Sequence, residues 1–141
     1  MGAYLSLPSW MRNLDGRYRL VLGECTACGS YTFPAEGACV ECAAVETLEP
    51  VEPAGTGTVV AHTVVESGAP PEFAALLDAQ GANGVVIVEL DEGARVPGML
   101  TDCDPHAVER GHRVESVVRR IYEQEGIPRY GVKFQPTGPA D

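Results

Sequence analysis

Four cysteines near the amino terminus have the residue type and the spacing of a metal site. Cys25 and Cys28 form one Cys-x-x-Cys pair, and Cys39 and Cys42 form a second pair after ten intervening residues. A Cys-x-x-Cys turn directs two sulfurs at one point, and Gly29 permits the tight backbone that a metal knuckle needs. Two knuckles at the ends of a short hairpin predict a tetrahedral, all-thiolate zinc site. Such a site is closed to water and therefore structural rather than catalytic.

Three other interpretations of these cysteines remain open from spacing alone. Two disulfides would fit an oxidising compartment, but the amino terminus lacks the basic-then-apolar order of a secretory signal. A thioredoxin-like redox centre usually has one Cys-x-x-Cys pair rather than two. A single iron ion, as in one-iron electron carriers, fits the same four thiolates as zinc. The sequence favours structural zinc and leaves iron as the main alternative.

The other residues that could do chemistry form no recognisable catalytic set. Cys103 ends an apolar run, which is typical of a small core or edge residue. His62, His106 and His112 lie in separate segments, and none is adjacent to a candidate nucleophile. No Gly-rich phosphate loop of the Walker type is present. We therefore predict no catalytic residue and no enzymatic activity of the chain alone.

The charge is strongly acidic and unevenly distributed. The net charge is −10 for 141 residues, and Lys133 is the only lysine. Acidic side chains dominate residues 1–105, whereas residues 106–141 are slightly basic. Because binding to nucleic acid depends on Lys and Arg contacts with phosphates, this composition argues against a nucleic-acid partner. Aromatic residues, which stack on bases in nucleic-acid-binding barrels, make up only 6%.

The remaining pattern predicts a mainly β protein with two modules. A short helix over residues 8–16 and a strand from Tyr18 lead into the first knuckle. A connector rich in Pro and Gly follows the second knuckle, so we place the boundary between residues 1–50 and residues 51–141. Five short strands then follow, which predicts a small barrel of the oligonucleotide/oligosaccharide-binding (OB) type or a small sandwich. Apolar residues in residues 71–83 have the spacing of a short amphipathic helix inserted between the first two strands.

These residues as a set resemble a known family. From about Trp10 to Pro136, the chain is similar to the zinc-ribbon/OB-fold proteins once catalogued as domain of unknown function 35. The segments that carry the resemblance are "GECTACG", "CVEC", "GTGTVVAHTVV", "VVIVELDEGARVPGMLTDCDP" and "YGVKFQP". The resemblance implies a rubredoxin-like zinc ribbon with Cys25, Cys28, Cys39 and Cys42 as ligands, followed by a five-stranded OB-fold barrel.

The resemblance also implies a function. Proteins of this family form complexes with thiolase-superfamily enzymes, in which the partner holds the catalytic cysteine and histidine. The small subunit stabilises the complex and shapes the acyl-CoA site. We therefore expect a cytoplasmic, non-catalytic subunit of a hetero-oligomer, with acyl-CoA at the shared interface and no membrane or nucleic-acid partner.

Two features depart from the family pattern. Family members often have two prolines and an arginine between the knuckles, whereas this chain has Phe33, Pro34, Ala35 and Glu36. The insertion around residues 73–82 is also unusual, and it predicts either a surface helix packed on the barrel or a lid that faces a partner or substrate.

Two interpretations remain open for the basic residues near the carboxyl terminus, and two for Trp10 and Tyr130. The cations could face the phosphates of coenzyme A. Alternatively, they balance neighbouring glutamates. Trp10 and Tyr130 could anchor a partner or could fill the seam between the modules. The cations are Arg110, Arg113, Arg119, Arg120, Arg129 and Lys133.

Overall fold

The computed structural model describes residues 14–138 of the chain. Among these residues, no helix has the length and apolar composition that crossing a membrane requires. Two short 3-10 turns cover Pro71–Phe73 and Pro105–Ala107. The helices and strands are α1 (Leu14–Tyr18), β1 (Leu22–Cys25), β2 (Tyr31–Thr32), β3 (Leu48–Val51), β4 (Thr56–Val65), α2 (Ala74–Gln80), β5 (Asn83–Leu90), β6 (Arg95–Met99), β7 (Arg113–Gln124) and β8 (Ile127–Pro136).

The first three strands form the ribbon, a small antiparallel sheet in the order β2-β1-β3. In the β1–β3 pair, Leu22 lies opposite Val51 and Cys25 lies opposite Leu48. This register places the first knuckle directly at the end of β1. The ribbon sheet therefore fixes the position of the first cysteine pair.

The other five strands form the barrel, in the order β6-β5-β4-β7-β8 with antiparallel neighbours. The two outer strands approach each other at a parallel bridge between Leu100 and Phe134. There the Thr101 N–H donates a hydrogen bond of 2.9 Å to the Phe134 carbonyl. The sheet is thus a nearly closed, five-stranded barrel of the OB type. The predicted fold class, a zinc ribbon followed by this barrel, is confirmed.

One apolar core extends through the barrel and into the residues that lead to the ribbon. Leu20 and Leu22 precede the first knuckle, yet they belong to the same buried cluster as the barrel residues. Tyr31, Phe33 and Val51 of the ribbon pack against that cluster while staying partly exposed. The ribbon and the barrel therefore share a core, and the division at residue 50 remains a proposal. The barrel members are Val59, Val86, Val88, Leu90, Ala94, Val96, Leu100, Val108, Val114 and Phe134.

Gly98 has a packing role that the sequence did not reveal. The Pro97–Gly98 pair predicts a bulge or an edge feature, and β6 is indeed an outer strand whose pairing with β5 has no register shift. A Cβ atom on Gly98 would lie 2.6 Å from two ring carbons of Phe134. Glycine is therefore required because the Phe134 ring approaches the β6 backbone where the barrel closes.

The predicted path of the chain into the ribbon is partly wrong. The helix predicted to end at Gly16 continues to Tyr18, and its predicted start lies outside the described residues, as does Trp10. The strand predicted from Tyr18 begins only at Leu22. Leu20 and Leu22 are buried because they enter the shared core, whereas Tyr18, which the strand prediction placed on the same face, is exposed at the end of α1.

The inserted segment forms the predicted short helix. Its last turn ends at Gly81, which has a φ of 75° and donates its N–H to the Leu77 carbonyl. At its start, the Phe73 ring packs against Tyr122 of β7, with ring centroids 5.4 Å apart. Leu76 and Leu77 are half-buried, and no residue of α2 is fully buried. The helix thus packs on the barrel through one modest apolar face.

Candidate metal centre

The four predicted ligands converge in the structure. All four Sγ atoms lie within 4.8 Å of one another. The Cys25–Cys42 and Cys28–Cys39 sulfurs are 3.7 and 3.6 Å apart. These distances are far longer than the ~2.05 Å of a disulfide bond. A tetrahedral site with Zn–S bonds of about 2.3 Å requires sulfurs about 3.8 Å apart, so the cluster has the dimensions of a four-thiolate metal site.

Both knuckles have the same backbone geometry. The Gly29 N–H donates to the Cys25 carbonyl at 2.7 Å, and the Ala43 N–H donates to the Cys39 carbonyl at 2.9 Å. Each donor follows the second cysteine of its pair and has positive φ, 74° for Gly29 and 59° for Ala43. Glycine adopts this conformation freely, whereas alanine is strained in it. The second knuckle therefore repeats the first with a less suitable residue.

Two hydroxyl groups contact the sulfurs from outside the cluster. The Ser30 hydroxyl lies 3.0 Å from the Cys28 sulfur and 3.1 Å from the Cys39 sulfur, and the Thr47 hydroxyl lies 3.3 Å from the Cys25 sulfur. Hydrogen bonds from Ser30, followed by the backbone of Cys42, lower the pKa of Cys39 to about 5. The Thr47 hydroxyl likewise lowers the pKa of Cys25. These contacts favour the thiolate forms that metal binding needs.

The cluster cannot accommodate four thiolates by hydrogen bonding alone. The backbone of Ala44 stabilises the Cys42 thiolate, but the neighbouring sulfurs oppose a further negative charge, Cys28 first. Together with burial, they raise the pKa of Cys42 to about 12. A divalent cation at the centre of the cluster would remove this repulsion. The donor set therefore fits a divalent metal ion with affinity for sulfur, and it disfavours four thiolates without a metal.

Comparisons with known proteins agree with this architecture. Residues 12–49 match the family model described as ChsH2, rubredoxin-like zinc ribbon domain. Residues 50–119 match the model described as ChsH2, C-terminal OB-fold domain. A DUF35 domain-containing scaffold protein of Methanocaldococcus jannaschii is 38% identical over 130 residues, which cover 91% of this chain and 88% of the relative. The chain belongs to the DUF35 family.

Other relatives extend the match over nearly the whole chain. The DUF35 domain-containing scaffold protein of Methanothermobacter thermautotrophicus is 36% identical, with 93% of this chain and 96% of the relative covered. The structure of an Ltp2-ChsH2(DUF35) aldolase contains a chain that is 26% identical, with a TM-score of 0.66. That match covers 96% of this DUF35 protein and 98% of the other chain. The family resemblance inferred from the sequence is confirmed.

Among the described residues, the other candidate residues of the DUF35 protein form no hydrogen bond with one another. Cys103 is partly buried and packs against the core, and burial, followed by the charges of Asp102 and Asp104, raises the pKa of its thiol. His106 lies 3.1 Å from the Glu66 carboxylate. The predicted role of Cys103 as a small edge residue agrees with this packing. Its raised pKa also makes it a poor nucleophile, because the thiolate is the reactive form.

The remaining histidines are on the surface or bound to the backbone. His62 is exposed on β4. The Nδ1 atom of His112 accepts a hydrogen bond of 3.3 Å from the Glu109 N–H. The hydrogen bonds of the described residues include none between a histidine and a cysteine. The absence of catalytic activity remains a prediction.

The arginines of the DUF35 protein are mostly paired with carboxylates. Arg113 binds both carboxylate oxygens of Asp91, at 2.6 and 2.8 Å. Arg119 lies 2.9 Å from Asp102, and Arg120 lies 3.6 Å from Glu123. These pairs favour the second reading of the basic residues, in which they balance acidic neighbours. Two of the three carboxylates are aspartates from distant loops, which sequence proximity could not identify.

Lys133 has an unexpected position. The alternation in β8 correctly separates it from Phe134, but both side chains are buried, with Lys133 only 2% exposed. The sequence grouped Lys133 with the arginines near the carboxyl terminus, and its burial sets it apart from them. The reason is tertiary: the sheet bends into a barrel and α2 lies beside it, so Lys133 lines a groove together with Thr101, Asp102 and Gln80.

Proposed function

We propose that this chain is a non-catalytic accessory subunit of a thiolase-superfamily acyl-CoA enzyme. In this role it stabilises a hetero-oligomer and shapes the acyl-CoA site, while the partner supplies the catalytic residues. The observation that carries the proposal is the match of nearly the whole chain to DUF35 scaffold proteins and to the DUF35 chain of an aldolase.

We propose further that Cys25, Cys28, Cys39 and Cys42 hold one structural zinc ion. The sulfur spacing supports this ligand set, and the zinc-ribbon family model covers all four residues. The ion would cross-link the two knuckles through its four thiolate bonds. Metal analysis should find one zinc per chain, and the zinc-loaded protein should be colourless. A visible absorbance band with stoichiometric iron would instead support the one-iron electron carrier.

One face of the β7–β8 hairpin is the surface we propose for docking. Val118 lies opposite Val132, two residues from Tyr130 along β8, so Val118 and Tyr130 share a face of the hairpin. Their side chains are 46% and 49% exposed there. An aromatic residue within an exposed apolar surface is a frequent anchor of protein interfaces. Tyr130 is also the exposed aromatic residue that the sequence indicated for this role. We call these two side chains the hairpin patch.

Co-purification from the native host tests the docking proposal. The wild-type chain should retain a larger thiolase-fold protein, and Val118→Asp with Tyr130→Asp should abolish that retention because charges would be buried in an apolar contact. Val40→Asp is the matched control, since Val40 is 68% exposed but lies in the second knuckle. A strict monomer, in a host that expresses thiolases, would contradict the subunit role. If only the Val40 variant lost the partner, the interface would lie on the ribbon and not on the hairpin.

A contribution to coenzyme A binding is the finer part of the proposal. Arg129 lies near the hairpin patch and, within the described residues, forms no ion pair, so its guanidinium is available to a phosphate. In the assembled complex, Arg129→Ala should raise the KM for acyl-CoA with little change in kcat. An unchanged KM would place coenzyme A entirely on the partner. For the nucleic-acid alternative, we expect no binding to single strands even at low salt.

A further inference from the structure

Lys133 has an unusual environment for a lysine. It is 2% exposed, although long charged side chains are almost never fully buried without a partner. Among the residues that the structure describes, no hydrogen bond or ion pair satisfies its ammonium group. A buried, unpaired charge is strongly unfavourable in a protein interior. The buried side-chain polar atoms that lack a hydrogen-bond partner in the described residues are Asn83 Oδ1 and Glu92 Oε2, so the Lys133 Nζ atom still reaches solvent and is open to an anionic ligand.

A groove provides access to this ammonium group. It lies between α2 and the β7–β8 hairpin, has a volume of about 340 Å³, and includes Lys133 in its lining. This volume is large enough for a small ion or for the terminal group of a larger molecule. The groove is also bounded by Thr101, whose side chain carries a hydroxyl that can donate a hydrogen bond. Its polar lining residues are Glu72, Gln80, Thr101, Asp102, Arg119, Arg120, Tyr122, Glu123 and Lys133.

The carboxylates of the groove are largely neutralised by other cations. Arg119 lies 2.9 Å from Asp102, and Arg120 lies 3.6 Å from Glu123, so both acidic groups already have a partner. Asp102 acts on Lys133 only through its charge, without a direct ion pair. Glu72 is exposed on the first turn before α2, where solvent screens its charge. Lys133 is thus the cation of the groove that forms no ion pair with a carboxylate.

We propose that this groove binds a small anion, a carboxylate or a phosphate group, with Lys133 as its cationic anchor. The Thr101 hydroxyl provides a second donor. The site is separate from the zinc centre and from the hairpin patch. It needs no partner subunit, so it can be tested independently of the proposed function.

Burial makes this site responsive to pH. Desolvation lowers the pKa of Lys133, and the charge of Asp102 opposes that shift. The other charged groups around the groove are Glu72, Arg119, Arg120 and Glu123. An anion would stabilise the protonated amine and raise its pKa again. Affinity should therefore fall as the pH rises through the pKa of Lys133.

The single lysine makes the test direct. Selective labelling of lysine with 13C at Cε and 15N at Nζ gives one side-chain signal from the full chain, because Lys133 is the only lysine. Titration with inorganic phosphate or acetate should shift this signal to saturation, together with the amides of Thr101 and Asp102. Lys133→Met should weaken binding about tenfold or more, the loss expected for one charge-assisted hydrogen bond.

Controls separate the site from general charge effects. Arg110→Met removes the same charge from an exposed position outside the groove lining, and it should leave binding unchanged. If coenzyme A saturates the signal at lower concentration than phosphate, the anion is the phosphate end of an acyl-CoA. If it does not, the ligand is a free small anion. A lysine signal that does not move with any of these probes would overturn the proposal, even if Lys133→Met failed to fold.

Discussion

The ribbon and the barrel are both small antiparallel sheets, but different forces stabilise them. In the barrel, Val86, Val88 and Leu90 alternate inward along β5 and are buried among apolar neighbours. In the knuckles, the buried side chains are Cys25 and Cys39, two of the four proposed ligands. A segment this short cannot exclude enough apolar surface from water to fold alone. In the ribbon, the proposed metal site would therefore take the place of a hydrophobic core of its own.

The two regions nevertheless meet in one cluster. Leu20 and Leu22 connect the start of β1 to the barrel core, whereas Cys25 and Cys39 of the knuckles are buried but lie outside that cluster. The ribbon is therefore held at one end by apolar packing against the barrel core and at the other end by the four-cysteine cluster. Each end should respond to a different perturbation.

Removal of the metal should have the largest effect and should be confined to the ribbon. Structural zinc contributes ~10–16 kcal/mol of apparent binding free energy in zinc-finger peptides, so Cys28→Ser or a strong chelator should unfold the knuckles. The barrel should keep its dispersed amide spectrum because its core contains no ligand. Cys103→Ser is the matched control and should retain one zinc per chain. An apo protein with the same proteolysis pattern as the loaded protein would contradict this division.

Truncation in the shared cluster should affect both regions together. Leu22→Ala and Leu90→Ala each remove a buried side chain, one from the ribbon and one from the barrel. Each should lower the free energy of unfolding by about 2–5 kcal/mol. Denaturation monitored on barrel amides should show both losses. If Leu22→Ala left the barrel transition unchanged, the ribbon and the barrel would be energetically separate.

Barrel closure should depend on the missing side chain of Gly98. Gly98→Ala places a methyl group against the Phe134 ring and should cost about 1–3 kcal/mol, measured by urea denaturation. Gly16→Ala is the control, because no atom lies within 4 Å of its added Cβ and alanine favours the helix. Phe134→Leu should reduce the cost of the Gly98 substitution. Equal stability of the Gly98 and Gly16 variants would show that closure tolerates the extra methyl.

The two knuckles should respond oppositely to exchange of glycine and alanine. Gly29→Ala should destabilise the zinc-loaded protein by about 1 kcal/mol, and Ala43→Gly should stabilise it by a similar amount. The physical reason is the positive φ at both positions. An added Cβ at Gly29 has no neighbour within 4 Å, so the loss would report backbone strain alone. Zinc release under competition with a chelator measures both changes, and changes of the same sign would contradict the equivalence of the knuckles.

The smallest effect should come from the ion pair between β7 and the turn after β5. Arg113, followed by the Thr56 hydroxyl, holds the pKa of Asp91 below its usual range. Since the folded pKa is lower, this stabilisation is present above about pH 4, the unfolded value, and is lost as the pH falls further. Asp91→Asn should flatten the acid limb of the stability profile. Asp78→Asn, at an exposed position of α2, is the control. Identical acid limbs of the stability profile in the wild type and in both variants would contradict the role of Asp91.

Much of the architecture could be predicted because local signals agree with the fold. The cysteine spacing identified the ribbon, and Gly29 identified its turn. The run of apolar residues in β5 indicated a buried strand, and the Phe73, Leu76 and Leu77 spacing indicated α2. Each of these features depends on residues that are close in sequence. Such interactions leave a pattern that can be read without knowing the fold.

The errors occurred where distant residues decide the outcome. The sequence placed Tyr18 in a strand, but its alternation with Leu20 and Leu22 did not reveal that α1 ends there. Likewise, the partners of Arg113 and Arg119 lie 22 and 17 residues away along the chain. Nothing local distinguishes them from the nearer glutamates.

The sequence by itself determined the four-cysteine cluster, the order of the ribbon and the barrel, and the acidic composition. These follow from residue type, spacing and composition, which are properties of the chain. Only the tertiary structure decided that the ribbon shares the barrel core, that Gly98 faces Phe134, and that Lys133 is enclosed. Each of these depends on the curvature that brings β6 and β8 together, and no local pattern encodes the distance between two strands at opposite ends of a sheet. The four cysteines lie at the centre of the ribbon, and the closure of the barrel determines the surroundings of Gly98 and Lys133.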